Sequence, residues 1–165
     1  MSRISVPIGP FIATYVGLAG QATALSLLPD QRTGGSTLTD EMPSEYVVSQ
    51  GNNVQTGNHV VTLNLTFISQ SDDVKCLAKG IPPGQDPDGT PGQTLYALFL
   101  QSGDGDNYYF PSIKTARSLT IPRTKSSPTT IPITFTVENR DASVQLYTSG
   151  SLVKVASAMG SQWPL

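Results

Sequence analysis

His59 and Cys76 are the only histidine and the only cysteine of a 165-residue chain, and they set the limits of its side-chain chemistry. A thiolate beside an imidazole can act as a nucleophile with its base, and an imidazole held between a carboxylate and a hydroxyl can activate that hydroxyl. Either device would have to use His59. No Gly-x-Ser-x-Gly turn exists to offer a serine, and a lone cysteine among apolar neighbours behaves as a small hydrophobe. The pair is therefore expected to be a surface imidazole and a buried structural thiol. Metal sites built on nitrogen and sulfur need several such ligands, more than these two residues supply. The residue types point to a protein that is not an enzyme and that carries no metal or cofactor.

Carboxylates occur in close pairs, Asp72/Asp73, Asp86/Asp88 and Asp104/Asp106. The middle pair sits in KGIPPGQDPDGTPGQT, residues 79–94, with four prolines and four glycines. A calcium loop of the helix–loop–helix kind needs a glycine at its sixth position and a bidentate glutamate at its twelfth. Counted from Asp86, the glycine falls at the fourth position and the twelfth is Ala97. Asp-Pro and Asp-Gly are ordinary turn formers, so the segment reads as a chain of turns. Glutamates are confined to Glu41, Glu45 and Glu138, and no aromatic platform accompanies them for glycoside chemistry.

Lys114, Arg117, Arg123 and Lys125 form the one basic stretch, with no acid between Asp106 and Glu138. Such a run can face phosphates of nucleic acid or of lipid headgroups; its ordinary reading is a solvated face, and no specific nucleic-acid partner is expected. Net charge is −2 and only 13% of residues are charged, so no charged tail recruits a polyanion or a membrane surface. Ser, Thr, Asn and Gln number 18, 18, 6 and 10, and they must wet most of the surface. Uncharged polar groups are desolvated at lower cost than ions, which suits a surface that becomes covered by neighbours.

A single cysteine forbids an intrachain disulfide, so stability has to come from a core or from neighbours. The N-terminal residues do not read as a signal peptide, because Pro7, Gly9 and Pro10 break the apolar run before a leader core could form. Phe11–Leu28 is uncharged and 18 residues long, near the lower limit for a membrane-spanning helix. Its Gln21, Thr14, Thr23, Ser26, Gly17 and Gly20 favour a strand and an apolar arm packed on the body or on another subunit. Asn64-Leu65-Thr66 matches a glycosylation sequon only formally, since it falls in mid-strand.

The elements that must position these residues are mostly strands. In HVVTLNLTFIS (59–69), Val61, Leu63, Leu65 and Phe67 alternate with Thr62, Asn64 and Thr66, and TIPITFTVE (130–138) repeats the pattern with Ile131, Ile133, Phe135 and Val137. That period of two is the signature of a half-buried strand. Shorter β-branched and aromatic runs lie at 45–49, 95–101, 107–110, 118–121, 143–148 and 152–156. Asp104-Gly105 predicts a hairpin over Leu95–Phe110. A second reversal is expected at 123–129, between two Thr-Ile-Pro runs whose Pro122 and Pro132 should mark sheet edges or bulges. SDDVKCLAKG (71–80) predicts one short helix capped by Ser71 or Asp72 and Gly80, and no other helix is expected outside the N-terminal arm.

These signals describe an all-β chain: a two-sheet antiparallel β-sandwich of the jelly-roll or Greek-key kind with little helix. Residues 1–28 form an apolar arm with the first strand or strands, and residues 29–165 a single sandwich domain. The 79–94 segment then becomes a crossover inside that domain, since strands of the same composition continue on both sides. Ordered loops of this length usually have a purpose, and a contact surface is the one expected.

The size of the chain, the apolar Met1–Leu28 arm, the alternating strands at 59–69 and 129–138, the proline-rich 79–94 loop and the SQWPL tail with Trp163 together resemble the single jelly-roll major capsid proteins of tailless, icosahedral, membrane-containing double-stranded DNA bacteriophages, of the small coat protein type known from a Thermus phage. The resemblance covers the whole chain and implies a structural virion protein made in the host cytoplasm. It further implies self-association as a dimer or larger capsomer, contact with a second capsid protein, and an inner face near viral membrane lipid. One departure is the low charge, because thermophilic proteins tend toward many ion pairs. On physical grounds the candidate subunit contacts are Phe11, Tyr15, Val16, Pro122, Pro132 and Trp163, residues that a monomer would have to hide. The alternative is a carbohydrate-binding or adhesion sandwich in which Tyr96, Tyr108, Tyr109 and Trp163 stack on sugars.

Overall fold

Alternation fixes the two longest strands. Val61, Leu63, Leu65 and Phe67 are buried while Thr62, Asn64 and Thr66 are half-exposed, and Ile131, Ile133 and Phe135 are buried while Pro132 and Thr134 are exposed. The computed structural model describes residues 3–7, 11–28, 36–41, 44–55, 58–68, 71–102, 105–121, 130–139 and 145–165. In chain order its strands are β1 (Arg3–Pro7), β2 (Phe11–Leu18), β3 (Ser26–Leu27), β4 (Thr37–Glu41), β5 (Ser44–Val47), β6 (Asn52–Gln55), β7 (His59–Phe67), β8 (Tyr96–Ser102), β9 (Asn107–Thr115), β10 (Ile131–Asn139) and β11 (Thr148–Gly150). The helices are α1 (Asp72–Lys79) and α2 (Leu152–Met159), the second followed by a 3-10 turn at Gly160–Gln162.

The fold is mostly β. One antiparallel path runs β1-β4-β7-β10-β9-β8-β2-β3, with β11 added to β9, and β5-β6 form a separate ribbon. Along the path β7, β10, β9 and β8 lie side by side, so two direct returns, β8 to β9 and β9 to β10, are completed by a long crossover from β7 to β8, the connectivity of a Greek key. That crossover carries α1 and the 79–94 loop. Val61, Leu63, Phe67 and Phe135 from one half of the path share a core with Tyr96, Leu98, Leu100 and Phe110 from the other, an arrangement consistent with an all-β sandwich.

β9 joins the two halves. It pairs with β8 over Tyr108–Phe110 and with β11 over Asn107–Tyr109, whereas its far end, Lys114–Thr115, pairs with β10. The β8 register slips between Leu98↔Phe110 and Tyr96↔Ile113, flanking the exposed Pro111. A proline has no N–H to give to a ladder and so sits where the strand bulges and turns.

β8 is covered on both faces. Tyr96, Leu98 and Leu100 point into the main core, and Ala97 and Phe99 point into a second cluster with Leu25, Tyr109, Val155 and Met159. α2 and the C-terminal tail supply that outer cover. Here the structure corrects the sequence expectation, because 152–156 is helix and not strand. Ser151 caps it by accepting a hydrogen bond from the Lys154 amide at 3.3 Å, and Val155 and Met159, four residues apart, bury one face. The valines count as strand formers only where no partner surface selects a 3.6-residue period. Segment 118–121 is likewise not a strand; Leu119 and Ile121 pack on the main core from an irregular chain. Of the 143–148 run, the strand is confined to Thr148 and continues to Gly150, with 140–144 outside the described residues.

Phe11–Leu28 forms β2 and β3 rather than a helix, and among the described residues no helix is long and apolar enough to cross a membrane. α1 forms where expected. Ser71 accepts from the Val74 amide at 3.4 Å, Asp72 and Asp73 lie at its positive end and Lys79 at its negative end, and Gly80 closes it in the left-handed region. These are the contacts that satisfy orphaned helix termini.

Candidate functional site

The residues expected at subunit contacts fall into different environments. Phe11 opens β2 opposite Ser102, Val16 is buried in the main core, and Tyr15 stacks on Phe99 with ring centroids 5.5 Å apart. Trp163 packs against the same ring in a tilted arrangement, with centroids 5.3 Å apart. Val16 is thus a core residue, whereas Tyr15 and Trp163 pack on Phe99 and stay partly exposed. Pro122 lies outside the described residues. Pro132 is exposed on β10, which pairs with β7 along its whole length but with β9 only at Phe135 and Thr136. The proline therefore sits where β10 has one flank unpaired among the described residues, the local edge that its missing N–H demands.

Three of the four aromatic residues considered for sugar stacking are core residues, and the fourth, Trp163, is partly buried. Tyr96 is fully buried, Tyr108 and Tyr109 nearly so, and burial leaves no ring face for a ligand. Their hydroxyls are bonded inside the protein: Tyr96 to the Ile81 carbonyl, Tyr108 to Asp106 and Tyr109 to Gln162.

His59 is not a free surface imidazole. Asp40 on β4 pairs with Val61 on β7, so it shares the core-facing side of the sheet with Leu38 and Leu63, and His59, two residues before Val61, shares it too. His59 Nε2 lies 2.6 Å from Asp40 Oδ1, and the Tyr147 hydroxyl donates to Asp40 Oδ2 at 2.9 Å. Tyr147 arrives from the segment before β11 and rests on Phe110 and Tyr108, ring centroids 5.6 and 6.3 Å away. One carboxylate thereby ties both halves of the sheet path at an end of the core. His59 Nδ1 is shielded and has no hydrogen-bond partner among the described residues. Cys76 is elsewhere, buried in α1 with its thiol toward the Gln85 carbonyl at 3.4 Å, and burial, with nearby Asp73, pushes that thiol above its ordinary value. A raised thiol is a poor nucleophile. Neither Asp40 nor Tyr147 could be picked from the sequence as a partner of His59, because the cluster depends on strand register.

Burial raises the hydroxyls of Tyr96, Tyr109 and Tyr147 above the ordinary value of 10.0, and at Tyr147 the bond to Asp40 adds to it. Folding favours the neutral phenol in each case. The stabilisation is complete below the unfolded value and is lost as the pH climbs above it. Ultraviolet titration of tyrosinate in the native chain should show Tyr96, Tyr109 and Tyr147 ionising only in a steep step coincident with alkaline unfolding. Smooth ionisation of all of them near the ordinary value, with circular dichroism unchanged, would contradict these burials.

The 79–94 loop is fixed by its own contacts. The Gly92 amide donates to the Lys79 carbonyl at 3.0 Å and the Thr94 amide to the Gly80 carbonyl at 3.2 Å, which closes the base. Asp86 Oδ1 accepts from the Asp88 amide at 2.9 Å, and Lys79 Nζ donates to the Pro87 carbonyl at 2.9 Å. The Asp86 carboxylate is thus engaged in turn chemistry. Beside the loop's end, Lys114 and Arg117 of the basic stretch line a cleft, while Arg123 and Lys125 lie outside the described residues. Comparison with known proteins finds no family model that matches this chain and no curated protein with a significant match.

Proposed function

We propose that the chain is a structural subunit of a virion, of the single jelly-roll coat-protein class, which associates with copies of itself and packs beside a second coat protein with an inner face toward membrane lipid. The observation that carries the reading is the β5-β6 ribbon. It is a two-stranded unit outside the main sheet, and its Tyr46 and Val48 are 60% and 84% exposed. A two-stranded ribbon with no further strand beside it among the described residues is weakly held in water, and an exposed tyrosine near its turn is the kind of anchor that interfaces bury. β1 and β3 end the sheet path and, among the described residues, have no further strand beside them; such edges are surfaces that assembly covers. The low charge and the abundance of Ser and Thr support the same reading, since such a surface loses little on desolvation.

Light scattering coupled to size exclusion, from low to high micromolar chain, is the test. The native chain should form a dimer or larger species, and the double variant Tyr46→Ser, Val48→Asp should associate at least about tenfold more weakly, the loss of one interface anchor. A native chain that stays monomeric throughout, or a variant that associates equally well, would remove the proposal.

A further inference from the structure

Where β9 leaves β8 and joins β10, the two strands are paired only at Thr115↔Phe135 and Lys114↔Thr136, with the Ala116 amide adding one bond to the Thr134 carbonyl at 3.0 Å. The end of the crossover loop, Gln93–Leu95, runs past this junction. Together they border an open cleft of about 530 Å³ whose polar lining comes from Gln93, Thr94, Lys114, Thr115, Arg117 and Thr136, with Lys114 and Arg117 exposed at its rim. A smaller cleft of about 170 Å³ continues from it past Leu95 and Val137.

The electrostatics of the cleft are one-sided. Among the described residues two cations line it and no acid does, and neither Lys114 nor Arg117 has an ion-pair partner there. Arg117 is also the only described residue other than glycine with a positive φ, 57°, a conformation unfavourable for a side chain with a Cβ. The surroundings hold it there: the Arg117 amide donates to Thr115 Oγ1 at 3.3 Å, and its stem passes so close to Gly80 that a Cβ on that glycine would lie 3.2 Å from Arg117 Cγ. A solvated basic face needs no such fixing. A strained cation held beside a second cation and three threonines at a cleft has the form of a binding site.

We propose that this cleft binds the oxyanion of a small organic molecule, a phosphate or carboxylate group, with Lys114 and Arg117 as counter-charges and Gln93 and Thr136 as neutral donors. Arg117 offers a planar fork suited to two oxygens at once, and Lys114 a compact charge. The Leu95–Val137 cleft takes the apolar part of the same molecule. A nucleic-acid strand is disfavoured because tracking a phosphate backbone requires an extended row of cations, and here the lining holds two cations at an open cleft.

The test is titration of the full chain with sodium phosphate and, separately, with sodium acetate at constant ionic strength, followed by calorimetry and by amide shifts in the NMR spectrum. Saturable one-site binding of phosphate assigns a phosphate ester as the ligand class, and stronger binding of acetate assigns a carboxylate. Either result supports the site if the shifted amides include Thr115 and Arg117 and if Lys114→Gln with Arg117→Gln weakens binding at least about tenfold, as expected for lost charge-assisted bonds. The amide shifts in the native chain locate the site independently of how the variant folds. Absence of saturable binding of both anions into the millimolar range, shifts confined elsewhere, or much tighter binding of a single-stranded oligonucleotide with a steep salt dependence would overturn the assignment.

Discussion

Replacing Phe99 by alanine should destabilise the protein by about 3–5 kcal/mol, the range for removing a buried aromatic ring and leaving its cavity behind. Phe99 is fully buried on the outer face of β8, where Tyr15, Trp163, Val155, Met159 and Leu25 meet around it. The two neighbouring rings add stacking energy that alanine cannot recover. Trp163 is the only tryptophan, so its fluorescence reports directly on this layer. In Phe99→Ala the emission should shift to the red before global unfolding, because the tail loses its docking surface. Leu98→Ala, one residue away and facing the other core, should also destabilise the chain but leave the native emission in place. Urea melts followed by fluorescence and by far-ultraviolet circular dichroism make the comparison. A loss under about 1 kcal/mol, or identical native spectra for the two variants, would show that the outer layer is not organised around this ring.

The second large effect concerns the crossover. Gly80 ends α1 with φ 74° and ψ 26°, and a Cβ there would come within 2.5 Å of the Gly92 carbonyl oxygen. The obstacle is backbone, so no rotamer change relieves it. Gly80→Ala therefore combines left-handed strain with a forced opening of the loop base and should cost at least ~2 kcal/mol. Gly84 has a φ of 84° but nothing within 4 Å of its would-be Cβ. Gly84→Ala should then show the conformational penalty alone, ~1 kcal/mol, and the difference between the two isolates the close approach. Limited proteolysis offers a second readout, since Gly80→Ala should expose the 82–91 turns to cleavage at lower protease concentration than Gly84→Ala. Equal stabilities for the two variants would mean that the loop base yields without loss.

How far the sequence could be read depended on whether each signal was local. The alternation in 59–69 and 130–138 reports one buried face, and both strands form with that face inward. Ser71, the acidic first turn and Gly80 bracket α1 within ten residues, and α1 forms between them. The hairpin at Gly105 follows from turn chemistry, and its glycine has φ 90°. By contrast, α2 is helical because Phe99 and Tyr109 leave an apolar surface on the far side of β8, a fact of topology. Its own run, with two valines, looks like a strand in isolation. One trace was present, since Tyr96–Leu100 is apolar at every position, the mark of a strand covered on both faces. The Asp40–His59–Tyr147 cluster joins positions 19 and 107 apart and becomes visible only once β4 and β7 are in register. Lys114 and Arg117 were legible as a basic run, but the wall opposite them, Gln93–Leu95, is brought there by the crossover.

The outer cover of β8 also dictates an order of events during synthesis. Leu25, Ala97, Phe99 and Tyr109 all leave the ribosome before Val155 and Met159, which shield them. Until those last turns emerge, the nascent chain carries a sticky aromatic stripe on an otherwise paired sheet, and a translational pause shortly before Ser151 would lengthen the interval in which chaperones, or other unfinished chains, can seize it.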